Sequence, residues 1–586
     1  MSGSGQAISV ASGNYTEGSI TLKKGNILSV SSGTAISLQN GASFNVKGAL
    51  NVNGTYAQHV TFTKTAGANY WGGFVFDTSD GSRVEYCDIS CASLPIIATG
   101  STSLTIDHCN ISGTDFSANA AIALYSSDAT VTTTKINGVQ NSYNGIRFSN
   151  SSGLVQYCTI KDCGSGNGIV VQGWSDPTII DDTIKSNFYH GIIVVENEGA
   201  IPVIKNNYFY ENGSTTSSKI YNGIDVYNSI ANVQENKVIC SNYGIYADTY
   251  SWIYAGYGNE QGSNQVYANR YGLVAYYNSA IDFGTYWEWG ESYQGCNSIT
   301  INECYNAFAV SSSYIGAQEN YWDPEPISND GIYYDGTSFV DASCWLEYEG
   351  QCGSTICGGG SVAAGDGRTE NPTGDSFDEN TYMKAARQAL IRRDGTSAED
   401  VFNLVLSNST NLSVQCKALV GLYHANNLTK SPLLKEKLEG LRSRSDVLSI
   451  VASELLMNLY TTLGQYGNVL DIANVLRAEH SGSEIEQRAL IKLASVSAYS
   501  GSQKAVSAHA LDELKSRFGS TIDNALLVAL GTPGKDQLSQ ASTSSSLADI
   551  WLINYPNLST IQAKKQEALS CESRKSLSIT NGYSSQ

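Results

Sequence analysis

Two aspartates, Asp225 and Asp248, stand 23 residues apart in matching contexts, GIDVYNS and GIYADTY. A pair of carboxylates can serve as general acid and general base on a glycosidic bond, and a separation of about 6.5–9.5 Å suits the inverting reaction. Tyr227, Tyr246, Tyr250, Trp252, Tyr254 and Tyr276 lie close by in the chain. Flat aromatic faces suit the apolar faces of sugar rings. Whether these residues meet depends on the elements that carry them.

Those elements repeat. Small-then-apolar openings occur at Gly73-Phe74, Pro95-Ile96, Ala121-Ile122, Gly145-Ile146, Gly168-Ile169, Gly191-Ile192, Gly223-Ile224, Gly244-Ile245, Gly272-Leu273 and Ala307-Phe308, with a commonest spacing near 23 residues. Each starts a short alternating strand such as GIRFS or GIVVQ. A second frame follows, as in Val84-x-x-Cys87-x-Ile89, Ile106-x-x-Cys109-x-Ile111, Val155-x-x-Cys158-x-Ile160, Ile179-x-x-Asp182-x-Ile184, Ile204-x-x-Asn207-x-Phe209 and Val233-x-x-Asn236-x-Val238. Two or three strands per 23 residues leave no room for a crossover helix, which predicts a parallel β-helix whose coils stack about 4.8 Å apart. The middle residue of the second frame is then an inward ladder position at a turn. Cys87, Cys109 and Cys158 read as small buried fillers of that ladder, since no CxxC or Cys/His cluster accompanies them.

On the first strand the second and fourth residues after Gly should face outward. Asp225 and Asp248 then come from adjacent coils, with backbones roughly 8 Å apart. Tyr227, Tyr246 and Tyr276 occupy nearly equivalent positions on three successive coils and predict an aromatic strip. Trp252 and Tyr254 would overhang it from the longer 244→272 coil. Arg147 falls three coils from Asp225, about 14 Å along the axis, too far to serve as the base of a Ca²⁺-dependent lyase. No motif supports a Ca²⁺ site, and no cofactor or metal is called for. A non-catalytic role is therefore favoured, with Asp225 and Asp248 as the candidates should the chain be an enzyme.

Charge separates the two halves of the 586 residues: residues 1–350 hold 13 Lys+Arg against 31 Asp+Glu, and residues 351–586 hold 22 against 23. An acidic surface repels phosphate backbones, which argues against nucleic acid as a partner. No apolar run reaches membrane-spanning length, and the start, MSGSGQAISV, carries no signal-peptide pattern and reads as an added or trimmed end. Cys344, Cys352 and Cys357 lie close together, so one disulfide among them is expected, with the pairing left open.

Residues 346–376 are Gly-rich and read as a mobile linker. From 377 to 532 the apolar period changes from two to 3.6, as in LSIVASELLMNLYTTLGQYGNVLDIANVLRAEH, broken near Gly464 and Gly467. Ser483 and Glu486 form a capping-box pattern. Leu422-Tyr423, Leu459-Tyr460 and Ala498-Tyr499, 37 and 39 residues apart, suggest a small helical array, a separate unit that a cut in the linker should release. Residues 533–586 form a Ser-rich linker and tail.

The run GASFNVKGALNVNGTYAQHVTFTKTAGANYWGGFVF and the later ENYWDPEP (319–326), with its Asn-x-Trp, resemble secreted right-handed β-helix proteins of the pectin-lyase-like superfamily over residues 1–345. That resemblance implies a right-handed parallel β-helix and leaves function open. The paired aspartates, Gly-His-Gly and Arg-x-Lys of its polygalacturonase-type members are absent: Asp181-Asp182 sits in the ladder frame and His190 stands alone beside Gly191. The segment Leu459-Tyr460…Leu463-Gly464-x-Tyr466 is similar to tetratricopeptide repeats, which implies a structural spacer or a protein partner held by the helical array. Asn554-Tyr555-Pro556-Asn557 resembles the opening of a type IX secretion sorting domain, although Leu558 replaces the expected Pro. Together these features predict a mainly β chain: a β-helix followed by a smaller all-α domain. The expected setting is extracellular or the outer cell surface, and the expected ligand a polysaccharide or surface glycan bound through Tyr227, Tyr246, Trp252, Tyr254 and Tyr276.

Overall fold

The computed structural model describes residues 7–113, 120–137, 144–164, 166–213, 221–256, 261–286, 292–293, 295–323, 331–342, 345–346, 355–356, 377–519 and 521–531. The tail from 533 onward and Cys344, Cys352 and Cys357 lie outside these residues.

The repeat closes into a solenoid of three parallel sheets. Sheet 1 runs from Ala7–Val10 to Phe339–Asp341 with 14 strands, sheet 2 from Asn14–Glu17 to Tyr321–Asp323 with 13, and sheet 3 from Ile20–Leu22 to Ile332–Tyr334 with 13. One coil shows how the sequence does this: Ser152–Gln156 lies in sheet 1, Thr159–Lys161 in sheet 2 and Ile169–Gln172 in sheet 3. The frame Val155-x-x-Cys158-x-Ile160 thus spans two sheets around a sharp corner. The residue before each ladder position makes that corner in the left-handed region, from Tyr86 (φ 46°) through Tyr157 (56°) to Asp181 (61°).

Alternation puts the larger aliphatic residues inside, where Ile111, Ile136, Ile160 and Ile184 stack in register on successive coils of sheet 2. The NGI glycines have a steric reason. A Cβ on Gly168 would stand 2.5 Å from the Gly191 carbonyl oxygen, and one on Gly191 2.5 Å from that of Gly223. Coil-to-coil contact at this point excludes any side chain. The repeat slips once: Leu273 pairs with Ala307, so Asn306 rather than Ala307 takes the glycine place.

Each corner needs a partner for its buried backbone N–H, and the side chain one coil on supplies it. Between sheets 1 and 2 the N–H of Cys158 donates to Asp182 Oδ1 (2.6 Å), Asp182 to Asn207 Oδ1 (2.9 Å), Asn207 to Asn236 Oδ1 (3.0 Å) and Asn236 to Asn264 Oδ1 (3.0 Å). Cys87, Cys109 and Cys158 lie in this column and are buried with free thiols. The column continues through Asn297 to Asn320, and Trp322 of the Asn-x-Trp motif fills the last position of the sheet 2 stack. A second column, of serines with Asn197, climbs the corner between sheets 3 and 1 from Ser79 through Ser127 and Ser251 to Ser338. Serine's abundance throughout the chain hides this column in the sequence.

Trp345–Leu346 pairs antiparallel with Thr355–Ile356, and the Leu346 N–H donates to Asn320 O (2.9 Å). Leu346, Thr355 and Ile356 of the expected linker therefore lie in strands. Cys296, which the pattern did not single out, is disulfide-bonded.

Nine α-helices follow among the described residues: α1 (Glu379–Ile391), α2 (Gly395–Asn408), α3 (Leu412–Thr429), α4 (Leu433–Leu441), α5 (Val447–Thr462), α6 (Tyr466–Glu479), α7 (Glu484–Tyr499), α8 (Lys504–Phe518) and α9 (Asn524–Leu530). The break between α5 and α6 falls at Gly464, whose φ is 68°. At α7 the Ser483 hydroxyl accepts the Glu486 N–H (3.4 Å) while the Glu486 carboxylate accepts the Gly482 N–H (2.6 Å), a capping box shifted by one donor.

Asn236→Ala should lower the stability of the full chain by about 3 kcal/mol, because it strands the Asn207 N–H and removes a donor to the Ile204 carbonyl. Urea unfolding checks this, with Cys109→Ala, which loses only weak thiol hydrogen bonds, expected to cost less.

Candidate functional site

The outward residues of sheet 3 form two columns. Arg147, Val170, Ile193, Asp225, Tyr246 and Val274 are register partners in one, and Ser149, Gln172, Val195, Tyr227 and Asp248 in the other. Asp225 and Asp248 therefore sit diagonally on adjacent coils, as their spacing predicts. Tyr246 flanks Asp225, and Asp248 flanks Tyr227, so Tyr227, Tyr246 and Tyr276 do not make a single file.

These outward positions are not open. Arg147 and Val195 are 0% exposed and Asp225 only 5%. The helical domain lies over them. Tyr227, Tyr250, Trp252, Tyr254 and Tyr314 belong to one apolar cluster with Phe402, Leu419, Leu455 and Leu490 of α2, α3, α5 and α7. The aromatic strip expected to face solvent is thus largely the floor of an interdomain contact. Tyr227 is 6% exposed and Trp252 and Tyr254 are 3% each, while Tyr246 and Tyr276 stay half-buried at its border. The alternating pattern marked these side chains as outward but could not report what covers them. The same contact packs the helical region against the β-helix.

Many polar groups in the contact find partners across it. Lys492 on α7 places Nζ 2.7 Å from Glu196 Oε2 and also binds the Glu198 carboxylate, all three side chains being 2% exposed. Tyr499 donates to the Glu196 carbonyl and accepts the Glu198 N–H. Asn228 and Asn458 exchange amide hydrogen bonds at 2.9 and 3.2 Å. Arg488 lies 3.8 Å over the Tyr277 ring, donates to Tyr277 Oη (2.6 Å) and pairs with Glu454 (2.9 Å), whose other oxygen accepts from Tyr250. His424 on α3 bonds the Tyr250 carbonyl oxygen at 2.9 Å, and burial lowers its pKa to about 4, so the ring is neutral and Nε2 is the donor. None of Glu196, Glu198, Asn228 or Tyr277 stood out in the sequence. Glu196-x-Glu198 directly after a buried strand was the available signal.

The acidic pair is held in the same seam. Asp225 accepts from Asn222 Nδ2 (2.6 Å) and lies 3.5 Å from His190 Nε2, which is 3.4 Å from Asp523 just ahead of α9. His190 Nδ1 accepts the Asn222 N–H (3.0 Å). His190, read as solitary in the sequence, therefore joins the two domains. Burial pushes Asp225 up to about 6 and Asp248 to about 7, the latter helped by the charge of Asp225. Such values suit acid–base chemistry, yet Asp225 is sealed from any substrate in this arrangement. Among the described residues no group of three or more His, Cys, Asp or Glu could hold a metal ion.

Residues 94–259 match the family model described as "Right handed beta helix region". This part of the chain is a right-handed β-helix. No curated protein matches the chain. Among solved structures, the β-helix is similar to an alginate lyase from Paenibacillus sp. str. FPU-7, with 14% identity, 55% of this chain and 99% of the other covered, and a TM-score of 0.21. The Streptococcus pneumoniae surface protein and adhesin PfbA matches at 12% identity over 57% of this chain and 91% of its own, with a TM-score of 0.28. Pectate lyase Pel9A matches at 11% identity over 46% and 77%, with a TM-score of 0.27.

Two outcomes follow from this contact. Lys492→Ala leaves Glu196 and Glu198 buried without their cation and should cost about 3–5 kcal/mol, read by urea unfolding of the full chain. For Asp248, a native pKa of about 7 against an ordinary 3.8 means that the folded chain holds a proton the unfolded chain has released. Its contribution to stability is therefore best below pH 4, worsens as pH rises through 7 and then levels off. Asp248→Asn should be more stable than the parent at pH 8, with the difference closing at pH 4; an equal difference at both would refute the assignment.

Proposed function

We propose that this chain is a non-catalytic, extracellular or cell-surface protein whose β-helix binds carbohydrate. The observation that carries the non-catalytic part is the covered face of sheet 3. Asp225 is buried there, held by Asn222 and His190 with no access for a sugar, and Asp248 is half-buried beside it. A binding role needs only an open face. Sheet 2 offers one, because the apolar contact of the helical domain runs over sheets 1 and 3. The Ser-rich tail with its Asn554-Tyr555-Pro556-Asn557 supports export, and no described helix is long and apolar enough to cross a membrane. A protein partner of the helical domain would dock on α2, α4, α6 or α8, since α1, α3, α5 and α7 supply the side chains that hold the β-helix.

The second reading is a polysaccharide hydrolase or lyase whose helical domain swings away. The raised Asp225 and Asp248 on adjacent coils favour it. Incubating the full chain with polygalacturonate, alginate and neutral glucans, and following reducing ends and unsaturated products, separates the two. No turnover is expected. Turnover abolished by Asp225→Asn or Asp248→Asn would make the chain an enzyme. A glycan array on the same protein tests the binding half, and silence across it would remove carbohydrate as the ligand.

A further inference from the structure

The acidity of the β-helix is not spread evenly, and the exception lies on sheet 2. Its outward residues form two columns by register. The first reads Lys135, Thr159, Thr183, Tyr208, Lys237 and Gln265. In the second, Lys161, Lys185, Tyr210, Ile239 and Tyr267 follow one another. Five coil steps make this surface about 24 Å long. Four of the 13 basic residues in residues 1–350 stand on it, in a region with 31 carboxylates.

Those carboxylates mostly leave the lysines alone. Lys161 pairs with Asp162 (3.1 Å), but among the described residues Lys135, Lys185 and Lys237 have no carboxylate within ion-pair distance. Lys237 instead lies 5.7 Å from the centre of the Tyr208 ring and 5.4 Å from that of Tyr267. The rings of Tyr208 and Tyr210 are parallel within 11° with centres 6.0 Å apart. Glu211, next to Tyr210, and Glu235, paired to Lys205 (3.1 Å), mark the acidic edges of the strip. Ammonium groups alternating with aromatic rings, repeated at the coil spacing, fit a polymer that repeats both a pyranose face and a negative charge.

We propose that the outer face of sheet 2 is a binding site for an anionic polysaccharide. Tyr208, Tyr210 and Tyr267 stack on sugar faces, and Lys185 and Lys237, with Lys135 and Lys161 beyond them, meet the carboxylate or sulfate groups. This rests on the reading that the β-helix binds carbohydrate, and it names the face and the ligand class. The charge complementarity selects an acidic glycan over a neutral one: the whole domain is otherwise anionic and would repel it everywhere else.

Affinity electrophoresis of the full chain in gels holding polygalacturonate, chondroitin sulfate or dextran tests it. Retardation is expected in the first, the second or both, with none in dextran and a decline as salt is raised; retardation in chondroitin sulfate alone would point to the sulfate groups. The Lys185→Glu/Lys237→Glu variant and the Tyr208→Ala/Tyr267→Ala variant should each bind roughly tenfold more weakly. All four side chains point outward, so both variants should melt close to the parent; if the tyrosine variant unfolds, the lysine variant decides. Unchanged retardation in the lysine variant overturns the site. A loss in the lysine variant with a folded tyrosine variant unchanged reduces it to unspecific charge attraction and also overturns it. Binding to dextran or another neutral glycan alone leaves carbohydrate binding standing and sinks this inference. Binding to no glycan sinks both.

Discussion

Everything in the β-helix depends on one constraint: at each corner a buried backbone N–H must find an acceptor, and the acceptor must come from the next coil. The Asp/Asn column between sheets 1 and 2 and the Ser column between sheets 3 and 1 meet it, each side chain reaching one coil along the axis. An amide that also donates to a carbonyl, as Asn236 Nδ2 does to Ile204 O (2.7 Å), locks the coil on both sides. Because these side chains are needed at fixed intervals, coil length can vary only outside them. The sheets therefore stay in register while the loops change size.

Register in turn makes the surface a lattice. Outward residues fall into columns, and a column repeats whatever chemistry the strand supplies. On sheet 3 the columns carry Val170, Ile193 and Val195 beside Asp225 and Tyr227, an apolar surface too large to leave wet. The helical domain covers it, and the cost of burying charged groups there is offset by matched partners such as Lys492 with Glu196 and Glu198. On sheet 2 the columns carry mainly threonine, lysine and tyrosine, with Ile239 buried among them.

The two domains thus meet along sheet 3. His190 and Asp225 of the β-helix face Asp523 at the start of α9, and further along the paired Glu454 and Arg488 of α5 and α7 meet Tyr250 and Tyr277 of the β-helix. Burial raises the pKa of Asp225 and Asp248 along this contact.

The sequence by itself determined the local geometry of the coil. Gly168, Ile160 and Cys158 are residues whose shape and polarity admit one environment each: close carbonyl contact, dry interior and ladder corner. It determined outward direction as well, since alternation along a strand is a local property, and so Asp225 and Asp248 were legible as neighbours. The capping box at Ser483 was legible for the same reason. Only the tertiary structure decided which outward faces see water. That outcome depends on where residues some 200–300 positions away come to rest, as when Tyr499 meets Glu196 or Tyr250 meets Glu454. No periodicity in residues 1–345 encodes the arrival of α7. An aromatic ring on a covered sheet and one on an open sheet have the same pattern, because the pleat sets direction while burial is a property of the neighbour.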